Sequence, residues 1–335
     1  MPSEATNRFQ FLGTGSLLEE AFDSDAFGMP EVVSARTPTE LFWRRFRKDR
    51  VAVASLAFIG FLVLVALLAP VIVDVFGLPD PNKFDSNALD EAGLPAGPSV
   101  AHPLGVDGLG RDVLSRTIYG SRVALIVALV STLIATVVGV VLGVLAGYYR
   151  GWVDTLISRL MIDVLLSFPI LMLAIGLSSA CSLGDGCLNG VIQPGIGTVI
   201  AVIALVTWTY PARLIRGQVL SLREKDFVDS ARSLGASNFR VITRELLPNL
   251  MVPTLVYATL IIPTNILFEA ALSFLGVGVS PSTPSWGAMI GDATGTFDTA
   301  WWYMLAPGLA LVLTVLAFNL LGDGLSDALN PRADD

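Results

Sequence analysis

Few residues in this chain are placed to do chemistry, and they form no catalytic set. The lone histidine, His102, stands close in sequence to Asp107 and Asp112, a grouping that could be imagined around a metal ion. One imidazole with scattered carboxylates is a weak ligand set, and capping together with ion pairing to Arg111 and Arg116 accounts for the same residues. With one histidine and two cysteines in the whole chain, a His- or Cys-rich metal site is ruled out. Cys181 and Cys187 flank Ser-Leu-Gly-Asp-Gly, a glycine-bearing loop short enough to close into a disulfide, and the spacing is not that of a redox CxxC pair. Glu269 is the one acid deep inside an apolar run; it is either a transport-path residue or a carboxylate reaching water or a partner group. Pro263, which breaks helical hydrogen bonding in the same run, is the second candidate for a path. The chain has no GxxxxGK[ST] phosphate loop, no paired acid and base, no Ser/His/Asp set and no HExxH. It is therefore expected to be non-catalytic.

What must position these residues is a membrane protein. Of 335 residues, 53% are hydrophobic and only 15% are charged, against about 25% charged in a soluble domain. Six apolar runs reach the roughly 20 residues a spanning helix needs. They lie near Val51–Val73, Arg122–Tyr148, Leu156–Leu177, Ile196–Leu214, Leu250–Gly276 and Trp301–Leu321. The fold class is thus all-α, with six transmembrane helices. No basic patch interleaved with aromatics points to nucleic acid.

Seventeen of the 21 Lys and Arg residues fall on one side if the N-terminus is cytoplasmic, leaving Lys83, Arg111, Arg116 and Arg122 outside. The expected topology has both termini in the cytoplasm. Residues 1–38 are acidic and read as a disordered arm. Residues 39–121 hold the first span, led by the basic Trp43–Arg50 cluster that suits an anionic lipid leaflet, and an outer segment. Residues 122–325 form a five-helix core, and 326–335 a short tail. Gly139, Gly143 and Gly147 recur every four residues, a pattern that lets helix backbones approach closely in lipid.

One polar, Arg-rich segment interrupts the core between the fourth and fifth spans, within a loop at 223–249. Asp226–Asn249 reads as two short helices hinged at a glycine. Asp226 is placed to N-cap the first, with Asp229 three residues on; Phe227, Ala231 and Leu234 share one face. Gly235 suits the left-handed position that ends a helix, Ser237 can cap the second, and Pro248 is expected to stop it. Such a hairpin is shaped to dock onto another protein.

The hairpin resembles the cytoplasmic EAA loop of ABC-importer permeases. Asp229, Ser230 and Ala231 stand at the EAA positions, Gly235 followed by Ala236 at the glycine, and Leu247–Pro248 at the ending. Asp for Glu, Ser for Ala, and Glu245 in place of Ile are departures. Much of the remainder, from about residue 39 to 332, is similar to the C-type permease subunit of dipeptide/oligopeptide importers. The matching stretches include His102–Arg116, Gly147–Asp154, Asp163–Pro169, Arg213–Val228, Glu269–Gly287 and Leu313–Arg332.

The resemblance implies half of a type I importer in a prokaryotic inner membrane. Its partners would be a homologous B-type permease, two cytosolic ATPases that bind the ATP and magnesium, and an extracytoplasmic binding protein. No cofactor is expected in this chain. The cargo would be di- or oligopeptides, with nickel complexes, glutathione or heme-like compounds as alternatives on the same architecture. An ion-coupled carrier is disfavoured, since it calls for several buried ionisable residues and an inverted repeat.

Overall fold

A computed structural model describes residues 38–90, 93–182 and 194–329. The chain divides into two compact units, residues 1–43 and 44–335; of the first, only residues 38–43 are described, where they open helix α1 (Pro38–Lys48). The described residues are helical apart from loops and two isolated β-bridges, Leu89 to Pro95 and Val106 to Asp112.

The first span is α2 (Arg50–Val75), started by the Asp49 carboxylate, which accepts from the Val51 and Ala52 amides. The second is α3 (Val113–Tyr149), which begins nine residues before the apolar run does. Asp112 caps it through the Ser115 amide at 2.7 Å, so the polar turn from Val113 to Arg122 continues into the span. At 1.5 Å per residue, 37 residues reach about 56 Å, well beyond a hydrocarbon core of roughly 30 Å. Hence α3 projects from the membrane and can carry structure outside it.

The third run departs from the expected single span, Leu156–Leu177. It is a broken pair, α4 (Gly151–Ser167) and α5 (Ile170–Ser182), bent by 87°. Pro169 has no amide to donate and Phe168 is extended, so the ladder stops between them. The arm before the break is held sideways by ion pairs from Asp154 to Arg216 and from Asp163 to Arg213.

The fourth span runs through α6 (Ile196–Thr207) and α7 (Thr209–Leu222), past the expected end at Leu214. Helix α8 (Asp226–Ser233) forms the first hairpin arm. The second arm is the start of α9 (Asn238–Phe274), which is also the fifth span. Pro248 therefore does not stop the second arm. The turn at Val241–Leu246 widens, the Leu247 amide bonds back five residues to Ile242, and Pro248 sits in the first turn after it, where a missing amide costs little. A short helix α10 (Trp286–Ala293) and the long α11 (Trp301–Leu329) complete the chain. Among the described residues five helices are long and apolar enough to cross a membrane, and the bent pair, taken as one span, makes six.

Helix α3 is the centre of this assembly, packing against α2, α6, α7, α9 and α11. Its closest neighbour is α7, and the three spaced glycines are the reason. A Cβ at Gly139 would lie 2.6 Å from Pro211 Cγ, one at Gly143 2.6 Å from the Ala212 carbonyl oxygen, and one at Gly147 2.8 Å from Val219 Cβ. No larger residue fits at any of the three without moving a backbone.

Candidate functional site

The hairpin is built from its hinge outward. The Ala236 amide bonds to the Ala231 carbonyl at 3.1 Å and the Gly235 amide to Arg232 at 2.8 Å, the paired bonds of a Schellman ending. That ending needs a residue at positive φ, and Gly235 supplies it at +81°. Ser237 then caps the second arm, its Oγ accepting from the Arg240 amide. At the other end Asp226 is not the N-cap: Lys225 holds that position with no side-chain bond, and Asp226 lies in the first turn with Asp229. Two carboxylates there still favour the helix through its dipole.

One buried cluster fixes the hairpin to the spans. Val228, Val241, Leu246 and Leu250 pack against Val144 and Tyr148 of α3 and Ile215 and Val219 of α7, with Ala236 and Leu247 against its margin. Polar contacts reinforce it at Tyr148. The Tyr148 hydroxyl donates to Asn238 Oδ1 at 2.8 Å, Arg223 Nη1 donates to the Tyr148 carbonyl at 2.6 Å, and the Arg232 guanidinium lies 5.4 Å from the Tyr148 ring centroid. Arg150 bonds Glu224 across the α3 terminus at 2.7 Å. Asp154 accepts two bonds from Arg216, at 2.6 and 2.8 Å, bracing α4 against α7.

The other face of the hairpin is open. Leu234 is 89% and Phe239 76% exposed, Phe227 is exposed as well, and Asp226, Asp229 and Ser230 add a polar flank. Asp229 makes only a loose pair with Arg232, 3.7 Å within its own helix. Of the hairpin residues named from sequence, Ala231, Ala236 and Leu247 turn partly inward. Asp226, Asp229, Ser230, Leu234, Gly235 and Pro248 lie on the surface. Neighbouring exposed apolar residues of that size are the kind of surface that interaction sites present. Tyr148, Arg223 and the Asp154–Arg216 pair were missed by sequence reasoning. Their signal was present in the matched stretches Gly147–Asp154 and Arg213–Val228, which carried a resemblance but no role.

At the far end of α9, Glu269 is buried, and its Oε1 accepts from the Ser273 and Ser285 hydroxyls, both at 2.8 Å. Ser285 caps α10, so the carboxylate ties α10 to α9. Pro263 is also buried within α9. Two residues from it, Asn265 Nδ2 donates to Thr132 Oγ1 of α3 at 2.8 Å, while Asn265 Oδ1 and Thr136 Oγ1 are buried without a partner.

The outer loop residues pair with one another. His102 Nδ1 meets Asp112 at 3.0 Å, Arg111 meets Asp107 at 2.6 Å, and Arg116 donates to the Pro81 carbonyl at 3.1 Å. Among the described residues no cluster of His, Cys, Asp or Glu is arranged to hold a metal ion. Cys181 is buried and disulfide-bonded, and Cys187 lies outside the described residues.

Two family models match the chain. The model for a binding-protein-dependent transport system inner membrane component covers residues 139–335, and that for the N-terminal transmembrane domain of oligopeptide transport permease C covers residues 37–92. The glutathione transport system permease protein GsiD of Shigella flexneri serotype 5b is 42% identical over 297 residues, spanning 89% of this chain and 91% of that protein. The same protein of Escherichia coli O157:H7 is 41% identical over the same length and coverage. Among solved structures, an inward-facing MetNI methionine ABC transporter aligns with a TM-score of 0.52 at 19% identity. That alignment covers 65% of this chain and 97% of the other, a likeness of fold.

Proposed function

Because the chain belongs to the family of binding-protein-dependent transport system inner membrane components, as a C-type permease of the peptide branch of ABC importers, we propose that its hairpin is where a separate ATPase drives the spans. It is a multi-pass inner-membrane subunit that works with another permease and with ATPase chains, which hydrolyse the ATP. In this reading the second permease is a homologous B-type subunit, two cytosolic ATPases bind ATP and magnesium, and a binding protein delivers cargo from outside. Both chain termini lie in the cytoplasm, as the Lys/Arg asymmetry favours. Residues 226–249 seat on one ATPase, and its closure on nucleotide rocks the spans between inward and outward openings.

A single observation carries this reading: Leu234 and Phe239 stand exposed on a hairpin whose opposite face is locked into α3, α7 and α9. A partner gripping them moves the spans rather than a loose loop. Co-purification tests it. The chain should recover its ATPases in membranes and import peptide only with ATP, and uptake by the chain alone would sink the proposal.

The cargo is proposed to be di- and oligopeptides. Glutathione is the second reading, favoured by relatives at 42% identity that carry it in name. Glutathione is itself a small peptide, so both readings call for the same polar pathway and differ in the binding protein. Calorimetry of that partner against oligopeptides and against glutathione separates them.

A further inference from the structure

Between α4 and α5 the helical backbone of a span is broken and bent by 87°. Helix α4 ends at Ser167, Phe168 is extended, Pro169 has no amide, and α5 starts at Ile170. The Ser167 hydroxyl donates to the Val164 carbonyl, the Phe168 amide to that of Leu165 and the Leu173 amide to that of Pro169, which leaves the Ser167 and Phe168 carbonyls and the amides of residues 170–172 without helical partners. Ser167, Phe168 and Pro169 are all exposed.

The break lies at mid-depth of the bundle. Just before it, Leu165 and Leu166 pack against the cluster holding Ala135, Trp208 and Ala212. Just after it, Ala174 packs with Val123 and Val127. The first cluster also holds Ala146, so on α3 the break falls between the levels of Val127 and Ala146, inside that span's apolar length. Unpaired backbone at such depth cannot face hydrocarbon, where each free group costs several kcal/mol; it must be covered by protein or wetted.

A second observation chooses water. Asp163 lies four residues before Ser167 and so on the same face of α4. Its ion pair with Arg213, at 2.6 Å, leaves both side chains more than half exposed. One face then carries an open ion pair and an open backbone break, and both require solvent.

Resting on the permease reading above, we infer that the Ser167–Pro169 break and the Asp163–Arg213 pair line the water-filled translocation pathway. A solute with peptide bonds finds there the Ser167 and Phe168 carbonyls and, just beyond them, the amides of residues 170–172. Leu64, near the middle of α2 and 57% exposed, sits on unbroken helix and serves as the comparison.

The test is thiol labelling of the assembled transporter in membrane vesicles with a charged, membrane-impermeant methanethiosulfonate. Ser167→Cys should label at least roughly tenfold faster than Leu64→Cys, because a thiol in hydrocarbon stays protonated and out of the reagent's reach. Phe168→Cys gives the same readout should Ser167→Cys fail to assemble. Equal, slow labelling of both positions, with and without ATP, overturns the inference. So does labelling at residue 167 that appears only when the second permease is left out, since that marks a covered interface. ATP-driven uptake by the wild-type complex in the same vesicles is scored separately, so loss of the importer reading is distinguishable from loss of this one.

Discussion

Tyr148, in the last turn of α3, donates its hydroxyl hydrogen bond to Asn238, the first residue of the second hairpin arm, at 2.8 Å. That bond joins a central span to the proposed ATPase contact across 90 residues of chain. Tyr148→Phe keeps the ring in its cluster and removes the bond, so thermal unfolding of the purified complex should show a loss of about 1 kcal/mol. Tyr148→Ala empties the site and should cost about 3 kcal/mol. Equal effects of the two would mean that the ring contributes nothing.

Gly235→Val places a β-branched residue at φ +81°. Nothing lies within 4 Å of a Cβ there, so the effect is conformational rather than steric, roughly 1–2 kcal/mol. The expected outcome is normal insertion with weakened ATPase recovery and uptake. Gly235→Asn should be milder, since Asn tolerates the left-handed region. Wild-type uptake with Val at this position would remove the hinge from the coupling scheme.

Leu234→Asp and Phe239→Asp alter exposed tips that touch little of their own chain. Stability should stay within about 0.5 kcal/mol of wild type, as surface changes generally do, while pull-down of the ATPase falls. Unchanged recovery with both would show that the docking surface lies elsewhere.

Glu269→Gln retains a carbonyl oxygen to accept from Ser273 and Ser285, so uptake should survive. Glu269→Ala leaves two buried hydroxyls without their acceptor and should destabilise by about 1–3 kcal/mol for each left unpaired. Loss of uptake in a stably assembled Glu269→Gln variant would instead revive the ion-coupled carrier.

Gly143→Val sets side-chain atoms into the Ala212 carbonyl and should separate α3 from α7 and abolish assembly. Gly176→Ala, on α5 with open space beside it, should assemble normally. Size-exclusion profiles distinguish the two, and normal assembly of Gly143→Val would deny the close approach.

Local chemistry carried the sequence reading a long way. The six apolar runs, the Gly235 hinge, the Ser237 cap and the glycine stripe all follow from rules that act over a turn or two. What escaped needed a partner distant in the chain. Pro248 reads as a stop until the wide turn at Val241–Leu246 absorbs its missing amide. The run at Leu156–Leu177 reads as one span until Arg213 and Arg216, on another helix, pull its first half aside. Lys225 rather than Asp226 is the N-cap of α8, a one-residue shift that no local preference decides. Tyr148 looks like an ordinary interfacial aromatic until Asn238 and Arg232 arrive beside it.

The glycine stripe has a mechanical consequence. Helix α3 contains no proline and touches α7 closely from Gly139 to Gly147, a contact centred on Gly143. Tyr148 is five residues to one side, roughly 8 Å away, and Thr117, whose carbonyl holds Trp286 of α10, is roughly 39 Å to the other. A stiff rod resting on that fulcrum is a lever of very unequal arms. On the coupling proposed above, a displacement of about 1 Å applied at the hairpin would appear as about 5 Å at the opposite mouth.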